Sequence, residues 1–150
     1  MPQSISRLYV HLVFSTRMRQ FLIDDVVRTD LHEFMRGVLY TRGDYPEMIN
    51  SVADHIHILF QLGRMSSMSA VVEDLKTTSS KWMKLRDPKF HAFYWQKGYG
   101  AFAVNSEKLS AVRKYIADQQ IQHAHQSFQD EYRALLQDNG AEWDERYVWD

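Results

Sequence analysis

The order of its hydrophobic patterns is the feature that most constrains how this chain can fold. Residues 5–15 alternate apolar and polar side chains, which is typical of a β-strand with one face in a core. Residues 24–43 space apolar side chains three or four apart and end in glycine, which predicts an amphipathic helix. Two further strands are predicted at residues 48–53 and 55–62, and the short turn between them indicates a hairpin.

The second half of the chain completes the pattern. A serine-rich stretch at 66–69 can cap a helix that ends before Asp87-Pro88, and a short strand follows near 101–104. The order strand, helix, strand, strand, helix, strand is the split βαβ arrangement of ferredoxin-like domains, an α+β sandwich with an antiparallel sheet. We expect helices on one face of this sheet and an open second face. A third helix near 106–119 and a helical segment around 128–136 would be additions at the C-terminal end.

Length and composition indicate one ordinary globular domain. The chain has 150 residues, of which 45% are hydrophobic, so we expect a single domain over residues 1–150. It contains no cysteine, which excludes disulfides, thiolate zinc sites and cysteine nucleophiles, so any metal must bind nitrogen and oxygen ligands. No signal-peptide pattern or membrane-length apolar run is present, and we therefore expect a cytoplasmic protein without a membrane segment.

Charge is unevenly distributed along the chain. The net charge of −1 argues against a nucleic-acid partner, because phosphate contacts by Lys and Arg supply most non-specific affinity. However, residues 118–150 carry a net −6 and residues 1–117 a net +5. We expect a mildly basic body and an acidic, aromatic C-terminal extension over about 124–150. The same split fits a solvated surface helix equally well.

Two histidines in the predicted third strand are candidate metal ligands. Because side chains alternate along a strand, His55 and His57 share one face while Ile56 points to the other. Imidazoles two residues apart can chelate one ion, and neutral imidazole is a usual ligand for transition metals. An isolated His-x-His also occurs on strand faces that simply meet water. If the first strand is adjacent, Arg7 and His11 lie on the same face, which would suit a phosphate.

A tyrosine and a glutamine on the predicted third helix are candidate catalytic groups. Tyr115 and Gln119 are four residues apart, so they lie one helical turn from each other. A phenol can attack phosphorus when a metal polarises the phosphoryl oxygen, and an amide oxygen can complete the coordination of a hard cation. On spacing alone, a tyrosine packed at the helix edge and a solvated glutamine are the commoner explanation. His123 and His125 would point in opposite directions on a helix, so we expect them at the surface or facing phosphate.

Four motifs occur together in an order that is familiar from one protein family. They are Asp54-His55-Ile56-His57, Leu75-Lys76-Thr77-Thr78-Ser79-Ser80, Trp95 with Gly98-Tyr99, and Tyr115-Ile116-Ala117-Asp118-Gln119. In this order they resemble the single-tyrosine HUH transposases of small insertion sequences, whose relatives include the REP-associated tyrosine transposases. The likeness runs from about residue 9 to 119, and the pattern at 128–147 is similar to one branch of that group.

The resemblance implies a role for each of the four candidate site residues. His55 and His57 would bind Mg or Mn, Gln119 would join the metal, and Tyr115 would attack a phosphate of single-stranded DNA. The products would be a 5′-phosphotyrosine and a free 3′-hydroxyl, so strands could be rejoined without ATP. The family also implies hairpin-marked element ends as substrate, and a homodimer in which the tyrosine helix can complete the partner's site.

Further residues are predicted to contact DNA, and two other functions stay open. Lysines on a helix are usually only solvated, and aromatic residues often pack in cores, but together they could line a DNA path; the candidates are Arg7, His11, Lys76, Lys81, Trp95 and Tyr99. One alternative function is a non-catalytic regulator that binds single-stranded nucleic acid on the same fold. The other is a metal-dependent hydrolase that uses water and does not need Tyr115.

Overall fold

The computed structural model describes residues 2–150 as a four-stranded antiparallel sheet with helices on both faces. The strands lie in the order β2-β3-β1-β4, which is the predicted ferredoxin-like order; they are β1 (Leu8–Ser15), β2 (Tyr45–Ser51), β3 (His55–Leu62) and β4 (Gly100–Val104). The helices are α1 (Asp25–Arg42), α2 (Met68–Arg86), α3 (Leu109–Ala117), α4 (Gln119–Gln122) and α5 (Phe128–Asp138). Within residues 2–150, no helix is both long enough and apolar enough to cross a membrane.

Local signals set the bounds of the two long helices, as predicted. The Asp24 side chain accepts a hydrogen bond from the backbone of Val27 at the start of α1. Gly43 ends that helix in a left-handed conformation, with φ of 80°. At the start of α2, the Ser67 hydroxyl accepts from the backbone of Ala70. Both predicted helices are therefore confirmed. Their ends could be predicted because the residues that cap them are close in sequence.

The main core lies between the sheet and the layer formed by α1 and α2. The alternation in β1 turns Leu12 and Phe14 into this core, and β3 contributes Ile56, Ile58 and Phe60. All five side chains are completely buried. Burial of each one stabilises the fold by about 1.5–3 kcal/mol. Because inward and outward positions alternate, the same strands must present His11, His55 and His57 to the opposite face of the sheet.

Strand β2 begins three residues earlier than the sequence predicted. It runs from Tyr45 to Ser51 and not from 48 to 53. It includes Pro46, which pairs with Phe60, and the register shifts between Pro46 and Met48. A proline and a bulge are tolerated here because β2 is an edge strand, where an amide proton is not needed on the open side.

The second face of the sheet is covered, so the expectation of an open face was wrong. Phe128, Tyr132 and Leu136 of α5 pack against Val13 and Phe102 of the sheet. Residues 141–149 of the C-terminal segment add further apolar contacts to this cluster. The acidic extension carries an apolar stripe on α5, and an amphipathic helix is stable only when such a stripe is buried. The histidines of β1 and β3 therefore lie under protein and not at an open surface.

A glycine in β4 makes room for α5. A Cβ atom at Gly100 would lie 2.7 Å from the ring and hydroxyl of Tyr132. We expect Gly100→Ala to lower the free energy of unfolding by about 1–3 kcal/mol, because α5 must move off the sheet. Denaturant unfolding measures the change. Gly37→Ala is the matched control: a Cβ there meets no atom within 4 Å, and alanine favours the helix. Equal unfolding free energies for Gly100→Ala and the unsubstituted protein would contradict this packing.

Candidate active site

A buried carboxylate stands at the centre of the candidate site. Glu131 of α5 is 1% exposed, and its Oε1 lies 3.1 Å from the Nε2 atoms of both His55 and His57. The Nε2 atom of His123 lies 2.9 Å from the same oxygen. One ligand atom from each of these four side chains falls within 4.8 Å of all the others. Three imidazole nitrogens and a carboxylate oxygen form a set that could hold a divalent transition metal.

The two strand histidines are oriented by hydrogen bonds behind them. His55 Nδ1 lies 2.7 Å from a carboxylate oxygen of Asp54, and His57 Nδ1 lies 2.8 Å from Nε2 of His11. Burial lowers the pKa of His11 to about 3, so His11 is neutral and shares one proton with His57, the donor being set by the tautomers of the two rings. The Nε2 atoms of both histidines face Glu131 and donate to its ionised carboxylate, and a metal ion would take the place of those protons. Metal-binding histidines are held in this way in many proteins.

The structure brings the four residues singled out from the sequence to one point within one chain. The Tyr115 hydroxyl donates a hydrogen bond to Oε2 of Glu131, and its ring centre is 5.8 Å from that of His57. Gln119 donates from Nε2 to the same carboxylate oxygen at 2.9 Å. Its Oε1 lies 3.2 Å from His55 Nε2, so the amide oxygen of Gln119 also faces the candidate metal ligands.

The tyrosine and the glutamine lie on two short helices and not on one continuous helix. The chain departs from helical geometry at Asp118, with φ of −90° and ψ of 13°, between α3 and α4. The Asn50 side chain of β2 donates to the last carbonyls of α3, at 2.8 Å from Ile116 and 3.2 Å from Ala117. These bonds satisfy carbonyls that have no partner within the helix, and they fix the end of α3 against the sheet.

Burial and the carboxylate set the charge states of the site. Burial raises the pKa of Tyr115 well above its usual value, and the adjacent Glu131 carboxylate raises it further. Burial alone would raise the pKa of Glu131, but hydrogen bonds from His123, His55 and His57 hold it well below its usual range. At neutral pH the carboxylate is therefore ionised and the phenol is protonated. Tyr115 must lose its proton during any attack on phosphorus.

Two members of the cluster were not identified from the sequence. His123 was expected at the surface or facing phosphate, and the surface position was wrong: α4 ends at Gln122, and a 2.7 Å contact between His123 Nδ1 and the Gln126 carbonyl turns Nε2 toward Glu131. The neighbouring His125 is exposed, as expected. Glu131 had a usable signal, because it is a carboxylate within the apolar stripe of α5 and could be stable there only with partners.

Two of the predicted DNA contacts, Lys76 and Trp95, are engaged within the protein. The Lys76 ammonium donates to the backbone carbonyls of residues 96, 97 and 98 at 2.7–3.1 Å, and burial lowers its pKa to about 8. Trp95 is 7% exposed, packs in the main core and donates from its ring nitrogen to Ser79. Both side chains thus shape the loop before β4.

The other predicted DNA contacts differ in accessibility. His11 is 5% exposed and supports His57, as described above. Arg7 is exposed and donates to the Tyr9 hydroxyl at 2.8 Å. Lys81 and Tyr99 are exposed as well. Arg7, Lys81 and Tyr99 therefore present surface to a ligand, and contact with DNA stays a prediction for them.

The metal-binding capacity of the cluster can be measured directly. We expect Glu131→Gln to weaken Mn²⁺ binding at least about tenfold in titration calorimetry, because the substitution removes the only anionic ligand atom. His123→Ala is expected to weaken it as well. Asp130→Asn removes the same charge from the adjacent, exposed position of α5 and should leave the affinity unchanged. Equal or tighter Mn²⁺ binding by Glu131→Gln would show that the carboxylate occupies the position of the metal and is not one of its ligands.

Comparison with known proteins assigns the chain to a family. The chain combines a ferredoxin-like fold with paired strand histidines facing a helix tyrosine, and the family of IS200-like transposases matches residues 4–119. The chain therefore belongs to the IS200-like transposase family. No curated protein matches it significantly. Tyr115, His55 and His57 lie inside the matched span, whereas His123 and Glu131 lie beyond it.

Two solved structures share the fold. A Deinococcus radiodurans protein that has been assigned as a transposase is 23% identical, with a TM-score of 0.59 over 79% of this chain and 98% of its own. A REP-associated tyrosine transposase, solved in complex with a REP hairpin, is 16% identical, with a TM-score of 0.59 over 82% of this chain and 72% of its own. The likeness confirms the α+β architecture that was predicted from the sequence.

Proposed function

We propose that this transposase cuts and rejoins single-stranded DNA through a covalent bond to Tyr115. The observation that carries the proposal is the meeting of Tyr115 with His55, His57 and Gln119 around one carboxylate, within one chain. These residue types are the ones that a metal-assisted tyrosine nuclease needs. Membership of the IS200-like transposase family supports the same chemistry.

The reaction follows from the position of the Tyr115 hydroxyl. Its oxygen attacks the phosphorus of a phosphodiester, an O–P bond forms, and the bond from phosphorus to the 3′-oxygen breaks. The tyrosine proton passes to Glu131, which already accepts the hydroxyl's hydrogen bond, and the departing 3′-oxygen takes up a proton from solvent. One phosphodiester is exchanged for another, so a 3′-hydroxyl can reverse the step and rejoin strands without ATP.

The side chains of the cluster fit a divalent cation, which we propose to be Mg or Mn. His55, His57, His123 and Glu131 would hold it, with Gln119 beside them. Three nitrogen ligands favour Mn over Mg, since Mg prefers oxygen. When bound, the cation would neutralise charge on the attacked phosphate. His11 and Asp54, outside the cluster, keep the histidines oriented, as described above.

Partners and organisation are proposed from the family. The REP-associated relative was solved with a DNA hairpin, and we propose that hairpin-marked element ends are the substrate here too. We also propose one cytoplasmic domain over residues 1–150, and a homodimer. The family implies that the tyrosine helix can complete the partner's site, whereas here Tyr115 contacts the cluster of its own chain, so the dimer is proposed from the family alone. The mass of the protein in solution tests the dimer.

A second candidate function is favoured by the burial of the site. His55 and His57 are completely buried and Glu131 is 1% exposed, so α5 separates the cluster from solvent. A protein that never opens this cover could bind single-stranded nucleic acid without cutting it and act as a regulator. A hydrolase that uses water is the third possibility, and it would keep cutting DNA without the tyrosine hydroxyl.

Removal of one oxygen atom tests the proposal. We expect Tyr115→Phe to abolish the covalent protein–DNA adduct, because the nucleophile is lost, while folding and DNA binding stay near their original levels. The assay incubates the protein with labelled single-stranded element ends and Mn²⁺ and resolves the products on a denaturing gel. Tyr94→Phe and Tyr99→Phe are the controls, since both tyrosines are exposed and, within residues 2–150, neither hydroxyl hydrogen-bonds to a cluster residue as Tyr115 does.

Each outcome of this assay selects one function. Loss of the adduct in Tyr115→Phe alone, with a nucleotide on Tyr115 in mass spectrometry, supports the transposase chemistry. A nucleotide on any other tyrosine contradicts the assignment. Cutting by Tyr115→Phe without an adduct identifies the hydrolase. Binding without cutting by the unsubstituted protein identifies the regulator.

A further inference from the structure

A groove at the end of the sheet combines positive charge with exposed aromatic rings. It has a volume of about 890 Å³ and lies between the turn after β1, the loop before β4 and the last residues of the chain. Its basic side chains are Arg17, Arg19 and Lys97, and Asp150 is its acid. The groove therefore carries an excess of positive charge in a chain with a net charge of −1.

The arginines of the groove differ from most others in the protein. Across residues 2–150, seven arginines lie within 4.0 Å of a carboxylate oxygen; they are Arg28, Arg36, Arg42, Arg86, Arg113, Arg133 and Arg146. Arg17 and Arg19 have no such partner among these described residues. Their guanidinium groups instead lie 5.9 Å from the ring centre of Tyr94 and 5.8 Å from that of Trp149. Arg19 also donates to the Trp149 carbonyl at 3.5 Å, but no carboxylate among the described residues neutralises either guanidinium, so both can pair with an anion outside the protein.

The groove exposes one aromatic and one apolar side chain to solvent. Tyr94 is 48% exposed, and the Lys84 ammonium lies 3.9 Å from its ring centre. The neighbouring Met18 is 72% exposed. Unpaired bases stack on aromatic rings of this kind, and their phosphates pair with the cations nearby. A duplex offers no free base face, so the combination fits a single strand.

The backbone of the groove is strained and anchored. Met18 and Arg19 both have φ of 55°, a left-handed conformation that residues other than glycine rarely adopt. Such strain persists only where the surroundings enforce it, and it is frequent at binding sites. Here Thr16 pairs with Trp95, and the Arg17 amide donates to the Tyr94 carbonyl at 2.8 Å. These bonds fix the direction in which the Arg17 and Arg19 side chains leave the chain.

The groove adjoins the candidate active site through two contacts. The Thr16 amide donates to the Asp54 carbonyl at 2.8 Å, and Asp54 is the residue that orients His55. On the sheet face that α5 covers, the ring centre of Phe128 lies 4.5 Å from that of His55 and 6.4 Å from that of Trp149. One layer of side chains thus separates the groove from the His55 end of the cluster.

We propose that this groove binds the unpaired DNA strand next to the phosphate that Tyr115 attacks. Arg17 and Arg19 pair with backbone phosphates, and Tyr94 stacks on a base. The proposal rests on the proposed function, because it takes single-stranded DNA as the substrate. It adds a location on this chain for the strand, on residues distinct from the catalytic cluster.

Fluorescence anisotropy with a short labelled oligothymidine in Mn²⁺ buffer tests the groove. Oligothymidine has no hairpin, so binding is measured apart from cutting. We expect Arg17→Gln and Arg19→Gln each to weaken binding about threefold or more at low salt, and to reduce the salt dependence by about 0.7 per lost phosphate contact. Tyr94→Ala should weaken binding about fivefold or more, whereas Tyr94→Phe should bind normally, because stacking needs the ring and not the hydroxyl.

Matched controls lie on α1, away from the groove. Arg36→Gln removes one positive charge and Tyr40→Ala removes one exposed ring, and both should bind as the unsubstituted protein does. Normal binding by the groove variants overturns the proposal, as do equal losses in the controls or no binding by the unsubstituted protein. A loss of affinity that is seen with a labelled duplex and not with oligothymidine also overturns the proposal. The adduct assay gives a separate result. If the groove variants bind oligothymidine more weakly but the unsubstituted protein forms no covalent adduct, the groove is supported and the Tyr115 chemistry is contradicted.

Discussion

The arrangement of the site depends on the hydrogen bonds that surround the buried carboxylate of Glu131. A charge that is 1% exposed is tolerated only when hydrogen-bond donors or cations surround it. Five side chains meet this carboxylate, and they come from β3, from the two short helices and from the turn that follows; they are His55, His57, Tyr115, Gln119 and His123. The position of α5 on the sheet and the geometry of the site are therefore coupled, and neither can change alone.

This coupling extends the site beyond the segment that is shared with the family. The family match ends at residue 119, yet His123 and Glu131 contribute two of the four candidate ligand atoms. The segment that supplies them also covers the sheet, with Phe128 and Tyr132 stacked between the histidines and the tail. Under the proposed function, attack by Tyr115 on a phosphate would break the hydrogen bond that its hydroxyl now donates to Glu131, so the helix that completes the site also takes part in the reaction.

Local patterns predicted much of the fold, and long-range packing explains what they missed. Alternation placed His55 and His57 on one face of β3 because a strand has a period of two, and caps at Asp24 and Ser67 set the helix starts. The cover over the second sheet face was missed because it depends on how α5 packs against distant strands. Glu131 was missed because a carboxylate in an apolar stripe indicates burial without naming its partners, and those are distant in sequence.

The most direct test of this account is an anomalous difference map from crystals of the protein soaked in Mn²⁺. If the cluster is a metal site completed by α5, the map shows one peak about 2.2 Å from the Nε2 atoms of His55, His57 and His123 and from the carboxylate of Glu131. The Tyr115 hydroxyl of the same chain lies beside it. A peak held by His55 and His57 with Glu131 turned away, or no peak at the cluster, would contradict the account.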